Sequence, residues 1–249
     1  VSFIQLPAGY PRIQFVSSFA ELISARFGGE DGVNAFCWPR ELSGDFGEVV
    51  AVLEELRGDR EAAGLQGLDE AQLRALPMRT EAGRAAVEIL IEDWRRLREL
   101  GLEPNLDCIR SYPRDEVPGI VPTDVYSWHV DSATVEADTW LCTYFGATSE
   151  GLRQEDAIRC VDVPELRAAL LGEFGGGADA EDDLDFREYL HECCYDLHYD
   201  ARPGSVPFVF GIGNFWRIAA EYPGSPVPAC VHRAPENEPG EPARLLLIS

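Results

Sequence analysis

Hydrophobic and polar positions fall into two textures along this chain. Up to about residue 104 the apolar residues recur at mostly helical spacing. Ala86, Leu90, Trp94 and Leu97 follow one another at three- and four-residue intervals after Thr80, which predicts an amphipathic helix capped by Thr80 and closed near Gly101. Phe46 to Leu56 reads as a second helix and Leu65 to Leu76 as a weaker third, while Asn34-Ala35-Phe36-Cys37-Trp38 reads as a strand stopped by Pro39. Beyond Pro104 the pattern changes to short apolar runs punctuated by Pro and Gly. Leu106 to Tyr112, Val125 to Asp131, Asp138 to Phe145, Ser205 to Ile212, Phe215 to Ala219, Val227 to His232 and Arg244 to Ile248 all predict strands. Strands at this spacing suggest a barrel or sandwich, with the helices of the first third packed outside it. Two further helices, Val163 to Phe174 and Leu184 to Leu197, flank an acidic, glycine-rich loop from Gly175 to Asp183. No internal repeat is visible.

A length of 249 residues with 45% hydrophobic content fits one globular domain spanning 1–249, helix-rich over 1–104, with a β core over 105–249 and a helical insert at about 150–200. A formal charge of -23 repels phosphate backbones and anionic lipid, so nucleic acid and membrane surfaces are excluded as partners, and a small molecule or a basic peptide is favoured. All 21 basic residues are arginine. Schiff-base, pyridoxal-phosphate and Walker-loop chemistries need a lysine amine and fall away, and anionic groups must be gripped by arginine forks or backbone amides. Seven cysteines without CxxC spacing predict reduced, mostly buried thiols and a cytoplasmic location. No apolar stretch reaches the roughly 18 residues of a membrane span, and the N-terminal residues lack the pattern of a secretory leader.

The chemistry concentrates in Trp128-His129-Val130-Asp131 and Cys230-Val231-His232-Arg233. Side chains alternate faces along a strand, so His129 and Asp131 project together and Trp128 projects away. His232, at the end of another extended run, is the best third ligand. Two imidazoles and one carboxylate leave coordination positions open, the set that suits non-haem Fe(II) in an oxygenase. Arg244 opens the last apolar run, close enough to reach the same cavity from an adjacent strand.

The order His129-Val130-Asp131, His232, then Arg244 twelve residues later resembles the Fe(II)/2-oxoglutarate-dependent dioxygenase superfamily. The stretch from Tyr126 to Glu150, containing Thr143-Tyr144-Phe145-Gly146, together with His232-Arg233-Ala234-Pro235, is similar to an uncharacterised bacterial branch of it. This resemblance implies an α+β, mainly β fold with a double-stranded β-helix (jelly-roll, cupin-like) core. It implies that His129, Asp131 and His232 hold Fe(II), that Arg244 binds the far carboxylate of the cosubstrate 2-oxoglutarate, and that O2 is consumed to hydroxylate a small, amino-acid-like or peptide substrate. Many members carry a serine two residues past the arginine to share that carboxylate. Leu246 stands there in this chain, so Tyr144, Thr143 or Tyr126 is expected to take its place.

Other constellations are weaker. Arg233 adjoins His232 but should face the opposite way, and Arg217 is a more distant substitute for Arg244. His191, Cys194 and His198 would share one face of the predicted helix and could hold a second, structural metal, although HExxH is broken by Tyr195 and a packed face is the simpler reading. Gly211-Ile212-Gly213 lacks the third glycine of a dinucleotide fingerprint, and the run from Asp179 to Asp185 lacks calcium-loop spacing. Tyr126, Trp128, Trp140, Phe145 and Trp216 are the aromatic candidates for the cavity wall. Two rival functions remain beside the oxygenase: a cupin-type metal enzyme that does not use 2-oxoglutarate, and a non-catalytic regulatory protein that keeps a metal for stability.

Overall fold

The computed structural model describes residues 10–57, 64–65, 67–114, 119–176, 183–236 and 240–249. In chain order its elements are β1 (Ile13–Phe15), α1 (Phe19–Ser24), β2 (Ala35–Trp38), α2 (Phe46–Arg57), β3 (Gly64–Leu65), α3 (Glu70–Arg74), α4 (Glu81–Glu99), β4 (Asn105–Ile109), β5 (Trp128–His129), β6 (Asp138–Phe145), β7 (Glu150–Gly151), β8 (Ala157–Arg159), α5 (Pro164–Phe174), α6 (Leu184–Glu192), β9 (His198–Ala201), β10 (Phe208–Val209), β11 (Phe215–Ala219), β12 (His232–Arg233) and β13 (Arg244–Ile248).

The strands form two sheets, one ordered β1-β2-β11-β6-β13-β4-β3 and the other β10-β7-β12-β5-β9-β8. Eight of them nest. The outermost pair is β4 with β13, then come β5 with β12, β6 with β11, and β7 with β10, all antiparallel. Successive strands from β4 to β7 alternate between the sheets, and the returning strands β10 to β13 pair with them in reverse order. A long hairpin rolled up in this way is a jelly roll. The expected fold class is therefore observed directly in the strand pairing.

Helices cover the outer face of the larger sheet. Thr80 caps α4, its hydroxyl accepting from Gly83 N at 2.9 Å. The buried stripe of α4 is Ala86, Leu90, Asp93 and Leu97, with Asp93 in the place expected for Trp94. It packs with Val49, Val50 and Leu53 of α2 onto Trp140, Tyr144, Leu245 and Leu247. Burying each such leucine stabilises the fold by about 1.5 to 3 kcal/mol. Along β6, Trp140, Cys142 and Tyr144 face or contact these helices, while Thr139, Leu141 and Thr143 turn inward, so the strand is buried on both faces. The weak helix expected over Leu65 to Leu76 divides into β3 and the shorter α3, because Leu65 pairs with Cys108 on β4 and Asp69 caps α3.

Between β7 and β10 the chain carries β8, α5, α6 and β9, and one predicted boundary is corrected there. The helix predicted to run to Leu197 ends at Glu192; Cys194 turns the chain at φ 59, and the residues from His198 form β9. Pairing with the free edge of β5 overrides the helical spacing there, and β8 then pairs with β9. Only the first two and the last residue of the acidic loop, 175, 176 and 183, are among those described; 177–182 lie outside them. Several predicted strands are also shorter than expected. Val227 to His232 yields only the two-residue β12, since Pro226 and Pro228 cannot donate to a ladder.

Candidate metal centre

Three adjacent strands of the smaller sheet carry three histidines side by side. His232 lies opposite His129, and His129 lies opposite His198. Directly opposed residues share a face, so all three imidazoles project from the same side. Each ring is oriented in the same manner. Nδ1 sits 2.8 Å from Ser127 O in His129, 3.0 Å from Cys230 O in His232 and 2.8 Å from Cys194 O in His198. A carbonyl only accepts, so each Nδ1 bears a proton and each Nε2 is left clear of that contact, the restraint found in metal-ligating histidines.

Two of these rings join a carboxylate. The donor atoms of His129, Asp131 and His232 lie within 4.8 Å of one another. The rings of His129 and His232 are 4.6 Å apart between centroids, and His232 Nε2 is 3.6 Å from Asp131 Oδ2. Among the described residues this is the one such group of three or more His, Cys, Asp or Glu side chains. Burial and the neighbouring His232 lower the pKa of His129 to about 4, so the ring is neutral at neutral pH. Burial pushes the Asp131 carboxyl up, but His232, the Thr139 hydroxyl and His129 outweigh it and hold the group below the ordinary carboxylate range. Thr139 Oγ1 donates to Asp131 Oδ2 and fixes its orientation. Two imidazoles and a restrained carboxylate thus converge on one point and fit a divalent transition metal with open positions.

His198 does not enter this group, and the cluster weighed for a second metal does not assemble. His191 is exposed beside Asp196, Cys194 is exposed on its turn, and His198 is buried on the triad's face of the sheet.

Arg244 opens onto the triad's cavity, a space of about 160 Å³ also lined by Asp107, Tyr112, Val125, Ser149 and Leu246. Its side chain is 1% exposed, yet among the described residues no carboxylate lies in ion-pair range. Nη2 donates to Ser149 Oγ at 3.1 Å and to Thr143 Oγ1 at 3.4 Å, and Nε has no partner. Burial lowers the pKa of this guanidinium, and Tyr112, Tyr126 and Asp107 nearby do not restore it. Close approach to β6 depends on Gly146, at φ +82, where a Cβ would meet Arg244 Cα at 2.8 Å. That accounts physically for the glycine of Thr143-Tyr144-Phe145-Gly146.

The competing arginines are already occupied. Arg233 faces away, ion-paired with Glu150 at 2.7 Å and lying over Trp128. Arg217 pairs with Asp138 at 2.7 Å and donates to the carbonyls of Leu22, Ile23 and Ala25. Of the three side chains expected to replace the missing serine, Thr143 reaches Arg244. Tyr126 is near, its hydroxyl accepting from Tyr112 N at 2.8 Å. Tyr144 is not: it lies on the helix-covered face and donates to Asp93 at 2.9 Å. Trp140 and Phe145 pack with the helices, and Trp128 packs on the sheet's other face, as alternation predicts. Sequence reasoning misses Thr139 and Asp107, whose signal is strand register, and Ser149 and Tyr112, which reach the cavity from beside β7 and after β4; none is visible before the pairing is known.

No family model matches the chain, and no curated protein matches it. A search of solved structures found the crystal structure of the Kdo hydroxylase KdoO, a non-heme Fe(II) alphaketoglutarate-dependent dioxygenase in complex with cobalt(II), at 12% identity and a TM-score of 0.41, over 95% of this chain and 88% of that one. So loose a likeness assigns neither a fold nor an activity.

Proposed function

We propose that this chain is an Fe(II)- and 2-oxoglutarate-dependent oxygenase acting on a small molecule or peptide, with residues 1–249 working as one unit. The observation that carries this reading is the pairing of two features in one cavity: a convergent His129-Asp131-His232 triad and a buried arginine left without a carboxylate. The triad would hold the metal. Arg244, with Ser149 and Thr143, would hold the distal carboxylate of the cosubstrate, because a buried guanidinium with a free Nε gains a short, charge-assisted contact from such an anion. When bound, iron would activate O2, the oxidant for C–H hydroxylation, with 2-oxoglutarate supplying the other two electrons as it is oxidised to succinate and CO2.

The protein's part is restraint. Thr139 orients Asp131, and the backbone carbonyls of Ser127 and Cys230 orient the imidazoles. Leu141, Leu246 and Ile248 line the cavity with apolar surface, which strengthens electrostatic contacts within it.

The test is an anaerobic titration of the Fe(II)-loaded protein with 2-oxoglutarate, following the visible metal-to-ligand charge-transfer band. The band should appear in wild type and vanish in Asp131→Ala for want of bound iron. Full iron occupancy in Asp131→Ala would overturn the metal site, and iron binding without the band would overturn the cosubstrate.

A further inference from the structure

The register around Leu246 places two polar residues where its own side chain offers none. Leu246 lies opposite Thr143 on β6 and opposite Asp107 on β4. Both are therefore diagonal neighbours of Arg244 on the inward face, within reach of a side chain as long as arginine's. Thr143 already touches Nη2. Asp107 lines the same cavity, and one of its oxygens is pinned: Oδ1 accepts from Gly67 N at 2.7 Å. That leaves Oδ2 as the oxygen available to a ligand. A carboxylate beside a buried arginine that lacks an ion pair serves as that arginine's nearby counter-charge while the cavity is empty.

An incoming anion changes the balance. Two carboxylates cannot both stay ionised at close range against one guanidinium, and one of them takes up a proton. We propose that Asp107 is the group that does so, accepting a proton from solvent when the cosubstrate carboxylate binds Arg244 and then donating Oδ2–H to it in place of the absent serine hydroxyl. The inference rests on the proposed binding of 2-oxoglutarate and adds the partner that shares its carboxylate.

Burial already moves the Asp107 carboxyl upward, with Gly67 N–H and Arg244 pulling the other way. The groups facing it are Arg244 from β13 and Tyr112 from the segment after β4, with Tyr126 beside Tyr112. Burial holds Tyr112 above the ordinary phenol range, so it stays neutral at neutral pH and does not compete for the role.

The experiment is calorimetry of 2-oxoglutarate binding to the Fe(II)-loaded protein under anaerobic conditions, in buffers of different ionisation enthalpy. Wild type should take up close to one proton per ligand at neutral pH, and its dissociation constant should rise as pH rises. Asp107→Asn keeps a donor without a titrating group, so it should take up no proton and show a flat constant. Asp107→Leu should also take up none and bind about tenfold more weakly at low pH, as expected for losing a hydrogen bond to a charged group. Proton uptake by Asp107→Asn equal to that of wild type would overturn the inference, as would Asp107→Leu binding unchanged at low pH. Absence of 2-oxoglutarate binding in wild type would instead overturn the function, so the two failures are distinguishable.

Discussion

Two buried arginines on opposite faces of the larger sheet have opposite surroundings. Arg40, on the helix side, is fully engaged. It meets Asp93 with both terminal nitrogens, at 2.9 and 2.7 Å, donates through Nε to Gly213 O at 3.0 Å, and lies over the rings of Trp38 and Phe215. Asp93 is bound in turn by Arg96 and by the Tyr144 hydroxyl. Arg244, on the cavity side, has two hydroxyls, an unpartnered Nε and, among the described residues, no paired acid. Burial opposes the charge of both. At Arg40, Cys142 and Asp93 reverse the effect and raise its pKa, whereas at Arg244 it prevails. The difference lies in what the fold supplies: a complete set of partners to one interior cation and an incomplete set to the other, and the proposed cosubstrate carboxylate would complete the second.

The comparison breaks or sharpens most strongly at Arg244. Arg244→Leu should raise the 2-oxoglutarate dissociation constant by tens- to thousands-fold, equivalent to roughly 2 to 5 kcal/mol, while metal binding is retained. Its stability should stay within about 1 kcal/mol of wild type or rise, because a buried charge without an ion pair is removed. Titration of the charge-transfer band and denaturant unfolding check both halves. Loss of stability with unchanged ligand binding would show that Arg244 is structural after all.

Arg40→Leu should do the reverse. Breaking a buried ion pair costs about 3 to 5 kcal/mol, and since Arg96 still holds Asp93 the lower end is expected. Denaturant unfolding should show that loss, and the double change Arg40→Leu/Asp93→Leu should recover part of it. A smaller effect belongs to Ser149→Ala, which removes one hydroxyl from the anion end: the 2-oxoglutarate constant should rise several-fold, worth about 1 kcal/mol, with iron affinity unaltered.

Legibility in the sequence tracks the range of the forces involved. Strand alternation puts His129 and Asp131 on one face and Trp128 on the other, and spacing singles out His232 and Arg244. These are one-dimensional patterns, and the observed geometry gathers all four residues around one cavity. Asp93 escapes such a reading because a charge in an apolar helical stripe looks like an interruption until Arg40, which precedes it by 53 residues, is seen to meet it. Tyr144 is misplaced for a different reason. β6 is buried on both faces, so composition gives no hint which of Thr143 and Tyr144 turns inward. His198 looks helical because edge pairing with β5, which makes it a strand residue, is a contact over many residues of chain.

Nested pairing also governs when the site can exist during folding. Thr143 and Arg244 meet across 101 residues of chain, and the pairing of β4 with β13 encloses the other nested pairs in sequence. Contacts of such separation incur their loop-closure entropy before they return any binding energy, which places β-rich chains of this kind among slow folders, in the millisecond-to-second range or beyond. His129 and His232 come from different arms of the roll, so an ion has no two-imidazole clasp to bind until the arms have met. Iron held there as proposed would be a clamp applied late: it would slow unfolding of the finished fold while leaving the rate of refolding nearly untouched.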